Sequence, residues 1–249
     1  MATNSPNSIL LWGLDGSIGD PGTPGKNGVN SKSDNTGQPG DDGSRSWSGK
    51  CTCATSGTPG AKGEPGGPGH PGNPGVVGPN FILTVNQFSV PNASKLTIVS
   101  QGGTGGSGGP GGTGGNGDVG GNSGKNDKKC ISNGSCQPAV GGIGGDGGPG
   151  GLGGAGFIGS DGGNISVFYY TYTPDVAHVI PMSNPGQGGT GGAGGTGGKG
   201  GNGGTNETPP GGQPSSASPG NPGGSKGGGS SNANGQNGKV VIKKIKKDA

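Results

Sequence analysis

The sequence predicts a chain with no helix, folded as a single-chain bundle of about six polyproline-II/polyglycine-II helices with a few short β-strands at the ends or between them. Glycine supplies 71 of the 249 residues and recurs at every third position, as in the run GGTGGSGGPGGTGGNG that starts at Gly102. A period of three matches the three residues per turn of polyproline-II and fits neither an α-helix nor a β-strand. No segment shows the 3.6-residue apolar period that indicates an α-helix.

The glycine runs divide into two kinds. Residues 13–28 and 57–78 follow a G-X-Y pattern, residues 102–121, 141–163 and 186–204 follow a mostly G-G-X pattern, and residues 220–238 are less regular. Faces without side chains would let backbones approach closely, so that N–H groups could bond the carbonyls of neighbouring runs. We therefore expect two parts. Residues 1–80 would be a collagen-like segment with a cysteine loop, packed on a G-G-X bundle with interspersed strands in residues 81–249.

Segments rich in β-branched and aromatic residues interrupt the glycine runs and predict strands. Residues 81–100 contain two candidates separated at Pro91-Asn92, and further candidates lie at residues 8–12, 165–173, 176–182 and 239–245. The last of these, KVVIKKI, reads as an edge strand whose lysines block unwanted pairing.

The composition also fits two other kinds of chain, a disordered linker and a collagen triple helix. Only 22% of the residues are apolar, which is typical of a disordered glycine-rich linker. The sustained triplet phase, the strand-like segments and the even number of cysteines favour an ordered chain. A collagen triple helix would need three chains, and the eight triplets of residues 57–78 are short for one.

The four cysteines, Cys51, Cys53, Cys130 and Cys136, lie in loops between the glycine runs and allow three disulfide pairings. A Cys130–Cys136 bond would close an easy loop but would leave Cys51 with Cys53 in a strained link, so pairing between the two loops stays open. The C-x-C and C-x₅-C spacings fit zinc poorly. Disulfides indicate an oxidising, extracellular location, whereas the start of the chain shows no recognisable signal peptide. A virion protein released by lysis would reconcile the two, as would a non-standard secretion route or a sequence that is only part of a longer chain.

The sequence carries no catalytic pattern. His70 and His178 have no Cys, Asp or Ser partner at a spacing typical of catalysis, and no phosphate-binding G-x₄-G-K-[ST] loop is present. A net charge of +3 is too small to indicate nucleic-acid binding, and no apolar run is long enough for membrane insertion. We expect a protein that is not an enzyme and that binds no cofactor or metal.

From about Phe88 onward, the order of elements resembles glycine-rich domains at the tips of bacteriophage tail fibres and in some bacterial surface proteins. The matching segments are FSVPNASKLTIVSQ (88–101), ISVFYYTYTPDVAHVI (165–180) and GQNGKVVI (235–242), each adjoining a glycine run. The resemblance implies a polyglycine-II scaffold and an adhesive function, with the receptor-contacting residues in loops between the runs. It covers about two-thirds of the chain and transfers no specific functional residue.

The sequence is compatible with three functions. In the first, the chain is a virion-surface or tail-fibre-tip adhesin whose aromatic loops contact a cell-surface receptor or glycan. The residues expected to make these contacts are Trp47, Phe168, Tyr169, Tyr170, Tyr172 and His178.

In the second, the chain is a subunit of an extracellular or viral filament that pairs with other protein subunits through exposed strands. The residues of these assembly strands are Ile9, Leu10, Leu11, Trp12, Val240, Val241, Ile242 and Ile245. The third function, less favoured, is ice binding by a flat face of small residues. Its candidate positions are Thr104, Ser107, Thr113, Thr190, Ala193 and Thr196.

Overall fold

The computed structural model describes residues 8–14, 37–88, 95–172 and 179–246. Their regular structure consists mainly of strands, with one five-residue helix. In chain order the elements are β1 (Ser8–Trp12), β2 (Ser44–Arg45), β3 (Cys51–Thr52), β4 (Phe81–Phe88), β5 (Leu96–Gln101), α1 (Lys128–Ser132), β6 (Ile165–Tyr172), β7 (Val179–Asn184) and β8 (Val240–Lys244). The predicted strands are confirmed where they are described; residues 89–94, 173 and 176–178 of the predicted segments lie outside the described part. The sequence did not predict β2, β3 or α1.

Two three-stranded parallel sheets lie at one end of the glycine-rich segments. Their strand orders are β1-β5-β7 and β4-β6-β8. The pairing is parallel throughout, for example Phe81 with Ile165 and Leu96 with Val179. Neighbouring parallel strands must be joined by a long connection. Here the glycine-rich chain between the strands supplies it. The strands of the first sheet lead into glycine-rich segments, and those of the second sheet follow them.

The buried apolar core is small and belongs to these two sheets. Ile98, Ile165, Val167 and Val179 form it, and partly buried side chains such as Phe81 pack against it. Inward and outward side chains alternate along each strand, because successive residues of a strand point to opposite faces. The core therefore holds the two sheets together as a sandwich.

The glycine-rich segments lie side by side and are linked by backbone hydrogen bonds at every third residue. Gly105 and Gly108, for example, donate to the carbonyls of Gln187 (2.8 Å) and Thr190 (2.9 Å). Residues 57–78 bond in the same way to residues 140–161 and 103–121, so the predicted first and second parts of the chain are hydrogen-bonded to each other.

The prediction of a bundle of polyproline-II/polyglycine-II helices is wrong. The regular structure of the described residues consists of three small β-sheets, two parallel and one antiparallel, and no polyproline bundle is evident there. The expectation of essentially no helix holds for the described residues, whose one helix is the five-residue α1. A three-residue glycine period indicates which backbone positions lack a side chain. It does not determine the backbone conformation, because glycine without a Cβ populates many extended conformations.

The close approach of the segments explains the repeated glycine. A Cβ added at Gly195 would lie 1.9 Å from the carbonyl oxygen of Gly112 and 2.9 Å from the nitrogen of Gly151. Both neighbours are backbone atoms, so neither could move without shifting a whole segment. Glycine is therefore required there by packing against two other segments.

Candidate functional site

The end of the molecule opposite the two parallel sheets is held by two disulfides. Cys51 bonds Cys130 and Cys53 bonds Cys136, with Cα atoms 5.8 and 5.4 Å apart. The pairing between the two loops, which the sequence left open, is therefore the one found. Cys130 lies in α1 and is fully buried, as Cys136 nearly is. The two bonds attach the loop that carries β2 and β3 to the loop that carries α1.

The antiparallel strands β2 and β3 form a short hairpin that projects from this end. Its turn is closed by hydrogen bonds from Ser46 N–H to the Lys50 carbonyl and from Gly49 N–H to the Ser46 carbonyl, both 2.9 Å. Gly49 has φ +87°, a left-handed conformation that favours glycine. Trp47 lies in this turn and is fully exposed, at 101%. The hairpin thus presents an indole on a turn that Cys51 fixes to α1.

Beside the hairpin, Asn126 and Glu207 connect three loops. The buried Asn126 donates to the Glu207 carboxylate from its backbone and its side chain, and its side-chain oxygen accepts from Ala54 N–H at 2.8 Å. Glu207 also accepts from Ala139 N–H at 2.9 Å. Burial raises the pKa of Glu207, but the hydrogen bonds from Ala139 and Asn126 outweigh it and hold that pKa below its usual value. Glu207 is thus an ionised acceptor that fixes loop positions.

A cleft of about 940 Å³ opens between α1 and the loop that follows residue 204. Most of its lining residues have polar side chains, whereas apolar atoms make up slightly more than half of the lined surface. The lining residues are Asn122, Ser123, Lys125, Asn126, Lys128, Ile131, Thr205, Asn206, Glu207, Thr208, Pro210, Pro214, Ser215 and Ser216. Such a surface offers both donors and acceptors of hydrogen bonds.

The described residues contain no group of three or more His, Cys, Asp or Glu side chains placed to hold a metal ion. His70 is exposed in the glycine-rich segment of residues 57–78. His178 lies outside the described residues. All four cysteines are in disulfides.

The structure does not bring the predicted receptor-contacting residues together. Trp47 lies at the disulfide end, whereas Phe168, Tyr169, Tyr170 and Tyr172 belong to β6 at the sheet end. Phe168, Tyr169 and Tyr170 are half-buried there.

The predicted assembly residues Ile9, Leu10, Leu11 and Trp12 lie in β1, and Val240, Val241 and Ile242 lie in β8. Ile245 follows β8 and donates its N–H to the Tyr169 carbonyl at 2.9 Å. β1 and β8 are both outer strands of their sheets. Their role in assembly stays a prediction.

The candidate ice-binding positions lie on two neighbouring glycine-rich segments. The hydroxyls of Ser107 and Thr190 are 3.0 Å apart, which places the two rows side by side. Whether this face contacts ice stays a prediction.

Sequence reasoning missed Asn126, Glu207 and the cleft. One signal was available: the run TNETPP at residues 205–210 ends the preceding glycine pattern with polar residues and two prolines. Its pairing with Asn126, 81 residues earlier in the chain, depends on the tertiary fold.

Known proteins show little similarity to this chain. No protein-family model matches the chain, and no curated protein matches it. A solved structure that matches is a springtail antifreeze protein from Granisotoma rainieri, described as a nine polyproline type II helical bundle whose crystal waters match the ice lattice. It is 22% identical over 96% of this chain and 98% of that chain, with a TM-score of 0.12. So low a TM-score supports no conclusion about fold or function.

Two disulfides are consistent with an extracellular protein. In the described part of the chain, no helix has the length and apolar character needed to cross a membrane.

Proposed function

We propose that this chain is a non-enzymatic adhesin of a virion surface or tail-fibre tip, which binds a cell-surface glycan through its disulfide-held end. The observation that carries the proposal is the fully exposed indole of Trp47 on a hairpin attached by Cys51–Cys130. Tryptophan is enriched among residues that dominate binding energy, because its large flat surface loses water on contact.

The rigidity of this end supports the same function. A loop that is already ordered loses less conformational entropy on binding, so more of the contact energy appears as affinity. The disulfides and the Asn126–Glu207 hydrogen bonds order the loops before any ligand arrives. The cleft lies on the same end and offers further hydrogen-bonding groups to a glycan that stacks on Trp47.

The test is binding of the full chain and of Trp47→Ala to a glycan array and to whole cells. We expect Trp47→Ala to lose at least about 30-fold in affinity, which corresponds to a hot-spot residue. Leu152→Ala is the matched control, because Leu152 is a large apolar side chain exposed in the middle of a glycine-rich segment. It should bind like the native chain.

Thermal melting separates binding from folding. Trp47 is fully exposed, so its replacement should leave the melting temperature unchanged. Retained binding by a folded Trp47→Ala protein would contradict the proposal. Equal losses of binding affinity in Trp47→Ala and Leu152→Ala would likewise show that the hairpin is not the binding surface.

A further inference from the structure

The sandwich of parallel sheets has four outer edges, which lie on two sides. β1 and β4 share one side, because Leu14, just after β1, accepts from the N–H of Val76, just before β4, at 2.7 Å. β7 and β8 share the other side, where Gly238 N–H donates to the Ser183 hydroxyl at 2.8 Å. Among the described residues, no strand pairs with any of these outer edges. Unpaired strand edges are templates for pairing with another chain.

The β7–β8 side is protected against pairing. Asn184 directs its carbonyl toward Gly102, which follows the neighbouring strand β5. Backbone groups alternate in direction along a strand, so Pro181 faces the open edge, and proline has no N–H to offer there. On the same side, β8 carries the exposed lysines Lys243 and Lys244, which oppose the approach of a like-charged edge.

The β1–β4 side has none of these protective features. The sequences SILLW and FILTVNQF contain neither proline nor a charged residue. Exposed large apolar side chains also concentrate on and beside these two strands. They are Trp12 at 61%, Leu14 at 75%, Val76 at 52%, Val77 at 56% and Ile82 at 72% exposure. Clusters of exposed apolar side chains of this kind mark contact surfaces.

We infer that the β1–β4 side is a two-fold interface with a second copy of this chain. A head-to-tail contact would place the open side of one copy against the protected side of the next, where Pro181 and the lysines prevent pairing. A two-fold contact places open side against open side. Because both surfaces are uncharged along β1 and β4, the two copies meet without repulsion.

The geometry of such a dimer follows from its symmetry. A strand that pairs with its own two-fold copy runs antiparallel to it, so the two disulfide ends point in opposite directions. The eight-residue β4 supplies an edge about 26 Å long. Two strand edges and five large apolar side chains can supply an area on the order of the roughly 800 Å² per partner that stable interfaces bury. The interface lies far from Trp47, so this inference does not rest on the proposed adhesive function.

The test is the mass of the full chain by sedimentation at about 100 μM, a concentration that would fill an interface of micromolar affinity. We expect twice the monomer mass of 23.3 kDa. Thr84→Pro should give the monomer mass. Phe81 donates its N–H toward Asn164 on the β6 side, so by alternation the Thr84 N–H faces the open edge. Proline at that position removes no hydrogen bond of the folded monomer.

Val240→Pro is the matched control, because Ile165 donates to the Lys239 carbonyl and the next residue, Val240, therefore faces the outer edge of β8. This variant should remain dimeric. If Thr84→Pro fails to fold, Thr84→Lys tests the same edge by adding a charge and should also be monomeric. A monomeric native chain, a dimer that survives both Thr84 variants, or filaments that depend on Val240 would each overturn the inference.

Discussion

Asn126 donates two hydrogen bonds to the carboxylate of Glu207, one from its backbone and one from its side chain, each 2.6 Å long. The residues are 81 positions apart in the chain. Ala54 and Ala139 bond to the same pair at 2.8 and 2.9 Å, so three loops of the chain meet at one carboxylate and one amide. The position of the loops around the cleft therefore depends on the ionised form of Glu207.

This arrangement predicts a stability that falls in acid. The pKa of folded Glu207 lies below its usual value, so its contribution is fully present above the unfolded pKa of about 4.3 and is lost as pH falls through the folded value. Glu207→Gln should lower stability at neutral pH by about 1–3 kcal/mol, because the amide cannot accept at both positions. Melting curves from pH 3 to 7 measure this. The difference in melting temperature between Glu207→Gln and the native chain should become smaller as the pH falls.

Glu64→Gln provides the control for that series, since Glu64 is exposed on residues 57–78. It should follow the native profile. An unchanged gap between native chain and Glu207→Gln across the whole pH range would show that the charge of Glu207 does not stabilise the loops.

For Asp118 we expect the opposite pH dependence of stability. It is 5% exposed, takes the place of a glycine in the run, and its Oδ2 has no hydrogen-bond partner. Burial raises the pKa of this carboxyl, so its penalty is present at neutral pH and disappears below the unfolded pKa of about 3.9. Asp118→Asn should gain stability at pH 7, at most about 1–3 kcal/mol, and nothing near pH 3. Asp41→Asn, at an exposed site, should change the free energy of unfolding little at either pH. A loss of stability in Asp118→Asn at pH 7 would show that the buried carboxylate does not destabilise the fold.

Glycines of the hydrogen-bonded segments should differ sharply in their tolerance of a methyl group. Gly195→Ala places a Cβ against the backbone of two neighbouring segments, whereas a Cβ at Gly224 would have no atom within 4 Å. We expect Gly195→Ala to cost about 3 kcal/mol or more, as overpacking does when backbone must move. Gly224→Ala should be neutral or slightly stabilising, because it restricts the unfolded chain. Urea unfolding measures both, and similar costs would argue against close packing of the segments.

Removing one disulfide should loosen one end of the molecule. The double variant Cys51→Ser, Cys130→Ser opens a link across 79 residues and should cost about 2–5 kcal/mol. Amide hydrogen exchange should accelerate around the hairpin and α1, while the β6 amides stay protected by their sheet. Uniformly faster exchange throughout the molecule would show that the two ends unfold as one unit.

Local composition was enough to locate most strands. Phe81–Phe88, Ile165–Tyr172 and Val240–Lys244 are rich in β-branched and aromatic residues between glycine runs, and each forms a strand. The hairpin around Trp47 was missed because each of its strands is only two residues long. Sequence order does not show that Trp47 and β6 lie at opposite ends of the molecule, and the contact of these residues with a receptor stays a prediction.

By itself, the sequence determined which positions lack side chains, where the six longer strands form and that four cysteines were available for two disulfides. Each of these follows from properties of a residue and its near neighbours. Only the tertiary structure decided the parallel strand order, the Cys51–Cys130 and Cys53–Cys136 pairing and the meeting of Asn126 with Glu207. These contacts join residues about 80 positions apart, and their geometry depends on how the intervening chain returns, which no local pattern encodes.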